Sequence, residues 1–161
     1  MITVVVRVTH GPEALAATLS ALVPAVAAGL IGDAVILADK QDDVLVQVAD
    51  AAGASLVEGD AWADGVAVAR REWLLCLDDG DIPQEGWIRV LDRFVGLAKP
   101  EQGLARMRRQ RAGLMSAISS LLAGSSVRAG DLVHRRVLMN EIKARTPVRL
   151  SASIERDPVF G

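Results

Sequence analysis

The chain has no tyrosine, and aromatic residues make up only 3% of its 161 positions. That scarcity argues against modules that read nucleic-acid bases by stacking them on aromatic platforms, so no nucleic-acid partner is expected. One cysteine, Cys76, excludes an intramolecular disulfide and a cysteine-based zinc site, and fits a reducing compartment. The longest apolar stretch, Ala21 to Ile31, is about half of a membrane span and contains Pro24. No basic leader precedes the valine-rich start. Together these features predict a soluble, cytoplasmic protein without a transmembrane helix. The first apolar run is not followed by a glycine-rich phosphate loop, because Gly11-Pro12-Glu13 lacks the needed spacing. Dehydrogenase and ATPase readings fall with it.

What is present suits one folded domain spanning 1–161. Hydrophobic residues make up 51% and charged residues 24%, enough for a real core at this length. The net charge of −2 hides an asymmetry. Residues 1–98 carry 6 basic and 15 acidic side chains, net −9, whereas residues 99–149 carry 11 basic and 3 acidic, net +8. Such a split suits self-complementary packing, a second copy of the chain, or a basic face for an anionic partner.

Apolar runs alternate with helical patterns. Ile2 to Val8, Ala34 to Ala38, Ala54 to Val57 and Trp73 to Leu77 read as buried strands. Between them Glu13 to Ala28, Asp42 to Ala52 and Ala61 to Arg71 read as helices, the first opened by Pro12 and the second closed by Gly53. This order predicts an α/β fold: a mostly parallel central sheet flanked by helices in a three-layer, Rossmann-like sandwich. Pro83 to Leu97 continues as a helix with Trp87 in the core. Glu101 to Ala123 reads as a long helix, with Arg106, Arg108, Arg109 and Arg111 near its start and an apolar stripe from Leu114 to Leu122. That pattern can cover the sheet, or lie on a membrane surface at the inner face. Leu132 to Val137 suits a strand running into a short helix, and Val148 to Ile154 a final edge strand.

The acidic turn Asp78-Asp79-Gly80-Asp81 follows the most apolar strand directly. Ligands of open α/β sheets bind beyond the carboxyl ends of the strands. Three clustered carboxylates there predict a divalent site, Mg or Mn, on Asp78, Asp79 and Asp81. The alternative is an exposed turn built by Asp and Gly for its geometry. Cys76, inside the apolar strand, is expected to be buried and unreactive.

These segments, in their order, resemble the family 2 glycosyltransferases of the GT-A fold. Val4-Val5-Val6-Arg7-Val8-Thr9-His10-Gly11 is similar to the opening strand and loop of the family, and Asp39 to the remnant of its acidic base-binding segment. Leu77-Asp78-Asp79-Gly80-Asp81, followed by Ile82-Pro83-Gln84-Glu85-Gly86-Trp87, resembles the metal-binding D-x-D strand end and helix start. Pairing Gly86-Trp87 puts Asp78 on the first acid and Gly80 on the second, whereas Asp79-Gly80-Asp81 recovers the D-x-D spacing with a one-residue shift. Gly130 to Arg136 resembles the G-x-x-x-V-R-R segment.

The resemblance implies an inverting transfer of sugar from a nucleotide-sugar to a lipid or cell-envelope polysaccharide acceptor. It implies residues 1–98 as the nucleotide-sugar half and 99–161 as a shortened acceptor half. Val8, His10, Asp39 and Asp78 would then hold the nucleotide, and Arg7, Arg135 and Arg136 would clamp phosphate. Peripheral membrane contact would run through Arg106 to Arg111. The family's E-D dipeptide, which supplies the base, does not follow Leu77; Asp131 is the substitute candidate. Without that dipeptide, a catalytically inactive relative acting as a binding or regulatory partner is the competing expectation.

Overall fold

A computed structural model describes residues 1–110 and 126–160. The β-branched run Ile2–Arg7 forms β1, buried on both faces. Its side chains alternate between two cores. Ile2, Val4 and Val6 face one layer, and Val5 faces the other. Helix α1 spans Pro12–Ala27, with Pro12 in its first turn and Glu13 beside the positive end of the dipole. It buries Ala14, Leu15, Thr18, Leu22 and Ala25, a helical stripe.

Strand β2 (Ile31–Ala38) leads to α2 (Asp43–Ala52). Asp42 caps α2 by accepting the Leu45 N–H at 2.8 Å, and Gly53 ends it in the left-handed conformation at φ 65°. Strand β3 (Ser55–Glu58) follows, then a 3-10 turn at Trp62–Ala67 where the sequence suggests a longer helix. Strand β4 is Trp73–Asp78, short strand β5 is Asp81–Pro83, and α3 is Trp87–Leu97.

The second half corrects the sequence reading. The segment expected to start a long helix at Glu101 holds only a 3-10 turn, Pro100–Gln102, followed by strand β6, Leu104–Arg109. The apolar stretch Leu114 to Leu122 and Arg111 lie outside the described residues. Strand β7 (Asp131–His134) runs into α4 (Arg135–Leu138), as expected. Strand β8 extends over Val148–Arg156 and is not an edge strand: it lies between β6 and β5.

All eight strands form one sheet in the order β3-β2-β1-β4-β7-β6-β8-β5. Strands β3, β2, β1 and β4 are parallel neighbours, and β6 and β8 pair in parallel. The β4–β7, β6–β7 and β5–β8 pairs are antiparallel. One face packs against α1, α2 and α3 through Leu15, Leu22, Leu45, Trp87 and Leu91. The other carries Trp62, Val66, Ala69 and Val137, from the 3-10 turn and its exit and from α4. The α/β, three-layer expectation therefore holds. Among the described residues, no helix is long and apolar enough to cross a membrane.

Candidate functional site

Registers place the site. Arg7 of β1 lies level with Leu37 of β2 and with Asp78 of β4. The three carboxyl ends therefore stop on one row, and the residues after them leave the same end of the sheet. Val8 is half-buried there, whereas His10 and Asp39 are exposed. The turn between β4 and β5 adds Asp78, Asp79 and Asp81 to the same end. The nucleotide set expected from sequence, Val8, His10, Asp39 and Asp78, is thus at the carboxyl end of adjoining strands.

Each carboxylate of the turn already has partners. Asp79 is inaccessible to solvent and sits under the loop from β1 to α1. It accepts the backbone N–H groups of Thr9, His10 and Gly11 at 3.0, 2.7 and 2.9 Å, and the Thr9 hydroxyl at 2.7 Å. Burial pushes its carboxyl up, but the hydrogen bonds from Thr9, Gly11 and His10 outweigh burial and hold it below the ordinary range. Its role here is to fix the loop.

Asp78 accepts from Arg7 Nε at 2.9 Å, and the Arg7 guanidinium lies 4.4 Å from the centre of the Trp62 ring. Asp81 is buried and receives Arg109 in a bidentate pair at 2.8 and 3.0 Å. Burial pulls the Arg109 pKa down, and the hydrogen bonds and charge of Asp81 more than offset it, for a net increase. Arg156 reaches the same Asp81 oxygen at 3.4 Å. It also donates to the Asp79 carbonyl at 3.0 Å and lies 3.2 Å from His10 Nδ1. Buried Thr18 of α1 ties the turn down from below: it accepts the Gly80 N–H at 2.8 Å and donates to the Asp81 carbonyl at 3.1 Å.

The divalent site expected at Asp78, Asp79 and Asp81 does not fit this arrangement. Asp79 is enclosed by backbone donors, and Asp78 and Asp81 are held by arginines. Among the described residues, no group of three or more His, Cys, Asp or Glu side chains is placed to hold a metal ion.

Other expected residues fall elsewhere. Strand β7 runs against β4, pairing His134 with Trp73 at the start of β4. Arg135 and Arg136 follow His134 and so lie at the opposite end of the sheet from the site. Arg136 pairs there with Glu141 at 3.1 Å, and Arg135 approaches the Val66 carbonyl at 3.4 Å. They are not part of the phosphate end. Asp131, the candidate base, is fully buried and locked to Arg106 at 2.6 and 2.7 Å, so it presents no face to an acceptor hydroxyl. Arg106 and Arg109 are spent on Asp131 and Asp81 rather than on a lipid-facing helix. Sequence reasoning missed Arg109 and Arg156 at the site. Their only advance sign was charge balance: carboxylates buried under a sheet require cations nearby.

A groove of about 670 Å³ lies between α3 and β8, lined by Arg89, Arg93, Phe94, Leu97 and Val148. It contains none of the site residues.

No family model matches the chain, and no curated protein matches it. Solved structures do. Glucosyl-3-phosphoglycerate synthase from Mycobacterium tuberculosis, solved with Mn2+, UDP and glucosyl-3-phosphoglycerate, superposes with a TM-score of 0.59 at 16% identity. That match covers 85% of this chain and 57% of the synthase. Mannosyl-3-phosphoglycerate synthase from Rubrobacter xylanophilus gives 0.60 at 15% identity, covering 97% of this chain and 67% of that one. S. aureus TarS 1-349 gives 0.54 at 13% identity, covering 88% and 49%. The chain therefore spans little more than half the length of the first of these and under half of the last. At these identities the likeness establishes the GT-A fold.

Proposed function

We propose that this chain binds a nucleotide-sugar at the carboxyl ends of β1, β2 and β4 and transfers its sugar to an acceptor hydroxyl. The observation that carries the reading is the common row of Arg7, Leu37 and Asp78, which brings Asp39, His10 and Asp78 to one sheet end in a GT-A fold. Support comes from two of the similar structures, which hold UDP or UDP-GlcNAc. Asp39 and His10 are exposed at this end, where a base and ribose would lie, and Val8 supplies an apolar edge. Arg7, one-third exposed, stands where the diphosphate would lie. The acceptor we assign is a lipid or cell-envelope polysaccharide, met at the cytoplasmic side of the membrane. Transfer with inversion needs a base beside the acceptor hydroxyl, and no residue of this chain is assigned to it.

A second reading is favoured by one observation. Asp131 is closed off by Arg106, and Gly80 stands where the resemblance expects the second acid. Both departures suit a protein that binds the nucleotide-sugar without turning it over.

One experiment separates the readings. UDP-, GDP- and dTDP-sugars are screened by thermal shift, and the one that binds is assayed for release of the nucleoside diphosphate with lipid and polysaccharide acceptors. Binding with release supports transfer. Binding without release supports the inactive reading. No shift with any of them overturns both.

A further inference from the structure

The Arg156 guanidinium occupies the kind of seat that a cation takes. Its neighbours are a carbonyl oxygen at 3.0 Å (Asp79), an imidazole nitrogen at 3.2 Å (His10) and a carboxylate oxygen at 3.4 Å (Asp81). The carbonyl and the carboxylate accept from the guanidinium, as they would bind another positive charge, and the imidazole lies against it. The side chain stays one-quarter exposed, so these contacts do not seal it from solvent.

Gly80 borders the same seat. Its φ of +85° is left-handed, and a Cβ built there would come within 3.4 Å of Arg156 Nη1 and 3.2 Å of Phe160 Cβ. The position that the resemblance pairs with an acid is thus bare where an arginine arrives from β8.

Charge balance agrees. Asp78, Asp79 and Asp81 bring three negative charges, and Arg7, Arg109 and Arg156 bring three positive ones. A divalent cation on two carboxylates reaches the same neutral sum. Neutrality leaves the guanidiniums able to meet a further anion, because fixed N–H donors bind phosphate oxygens directionally.

We infer that Arg156, with Arg7 at the same end of the sheet, takes the place of a divalent cation, so that this chain binds the diphosphate of a nucleotide without a metal. The inference rests on the nucleotide-sugar reading above and names how its diphosphate is neutralised.

The test is calorimetric titration of UDP, GDP and dTDP into the full chain, once in EDTA and once with Mn2+. The same titration is repeated on Arg156→Ala and Arg156→Lys. Arg109 still holds Asp81 in both variants, and circular dichroism checks that they fold. The expected result is that one nucleotide binds within about threefold as tightly in EDTA as with Mn2+. Arg156→Ala then weakens binding by roughly tenfold or more in EDTA, and Arg156→Lys recovers part of the loss. If Arg156→Ala does not fold, the lysine variant and the EDTA comparison on the unaltered chain decide. Binding that appears only with Mn2+ overturns the inference and leaves the nucleotide reading standing. So does EDTA binding unaffected by the alanine variant. Failure of all three nucleotides under both conditions overturns the nucleotide reading, and the inference with it.

Discussion

Thr9 gives both of its donors to one oxygen of Asp79: its backbone N–H at 3.0 Å and its hydroxyl at 2.7 Å. With His10 and Gly11 donating to the other oxygen, the carboxylate acts as the anchor of the loop that carries the site. Asp79→Asn puts an amide against these donors and is predicted to destabilise the fold by about 2–3 kcal/mol at neutral pH. The sign of its pH dependence follows from the depressed pKa. The folded value lies below the unfolded reference of 3.8, so the stabilisation is complete above the ordinary carboxylate range and is lost as pH falls through the folded value. Urea unfolding between pH 6 and 2 should therefore show a shallower acid limb in the variant. An acid limb unchanged by the substitution would assign the loss to other carboxylates.

Arg106 and Asp131 form the best-enclosed ion pair, with side-chain exposures of 15% and 0%. Among the described residues, Arg106→Ala leaves that carboxylate with the Arg128 N–H, at 3.0 Å, as its remaining hydrogen-bond donor. The predicted cost is about 3–5 kcal/mol in chemical denaturation. A cost below about 1 kcal/mol would mean that water or another cation reaches Asp131.

Cys76 lies in the middle of β4 with no exposure. Burial, reinforced by the negative charge of Asp131, pushes its thiol well above the ordinary range. A colourless thiol assay with a disulfide reagent should show no reaction with the folded chain, and a rate that rises with urea in step with unfolding. Fast labelling in the absence of denaturant would contradict the packing of β4.

His134 is buried at the end of β7, with its ring 5.1 Å from that of Trp73 in an edge-to-face contact. Burial pulls its pKa below the ordinary 6.5, an effect that the charge of Glu72 only partly offsets. The unfolded chain therefore binds the proton more readily. Stability is full above about pH 6.5 and is lost as pH falls below that value. His134→Gln should flatten the stability profile between pH 7 and 5, measured by thermal unfolding. The same slope in both proteins would show that His134 takes no part.

Strands β1 to β4 were legible because each is a short apolar run bounded by turn residues, a pattern with few other readings. Asp78 to Asp81 were legible as a turn at the carboxyl end of the sheet because they follow the most apolar of those runs. Strand β6 was not. Leu104-Ala105-Arg106-Met107-Arg108-Arg109 is made of good helix formers, and its apolar residues do not alternate cleanly. It is a strand because Leu104, Ala105 and Met107 are buried in the sheet while Arg106 and Arg109 are neutralised by Asp131 and Asp81. Those partners are 25 and 28 residues away, beyond any local window. The place of Arg135 and Arg136 was hidden for a different reason. The direction of β7, set by its antiparallel pairing with β4, decides which end of the sheet they reach, and residue type does not encode that direction.

Strand β8 also sets an order of events. Arg156 meets His10 across 146 positions of sequence, and β8 takes its full place in the sheet only between β6 and β5. Chain-closing contacts of that span form late, because their entropic cost comes before their reward. During synthesis β1 to β4 can assemble while the residues of β8 are still unmade. The strand ends then gain Arg156 only when β8 docks, so a nucleotide that depends on this arginine would report completed folding and could serve as a probe of it.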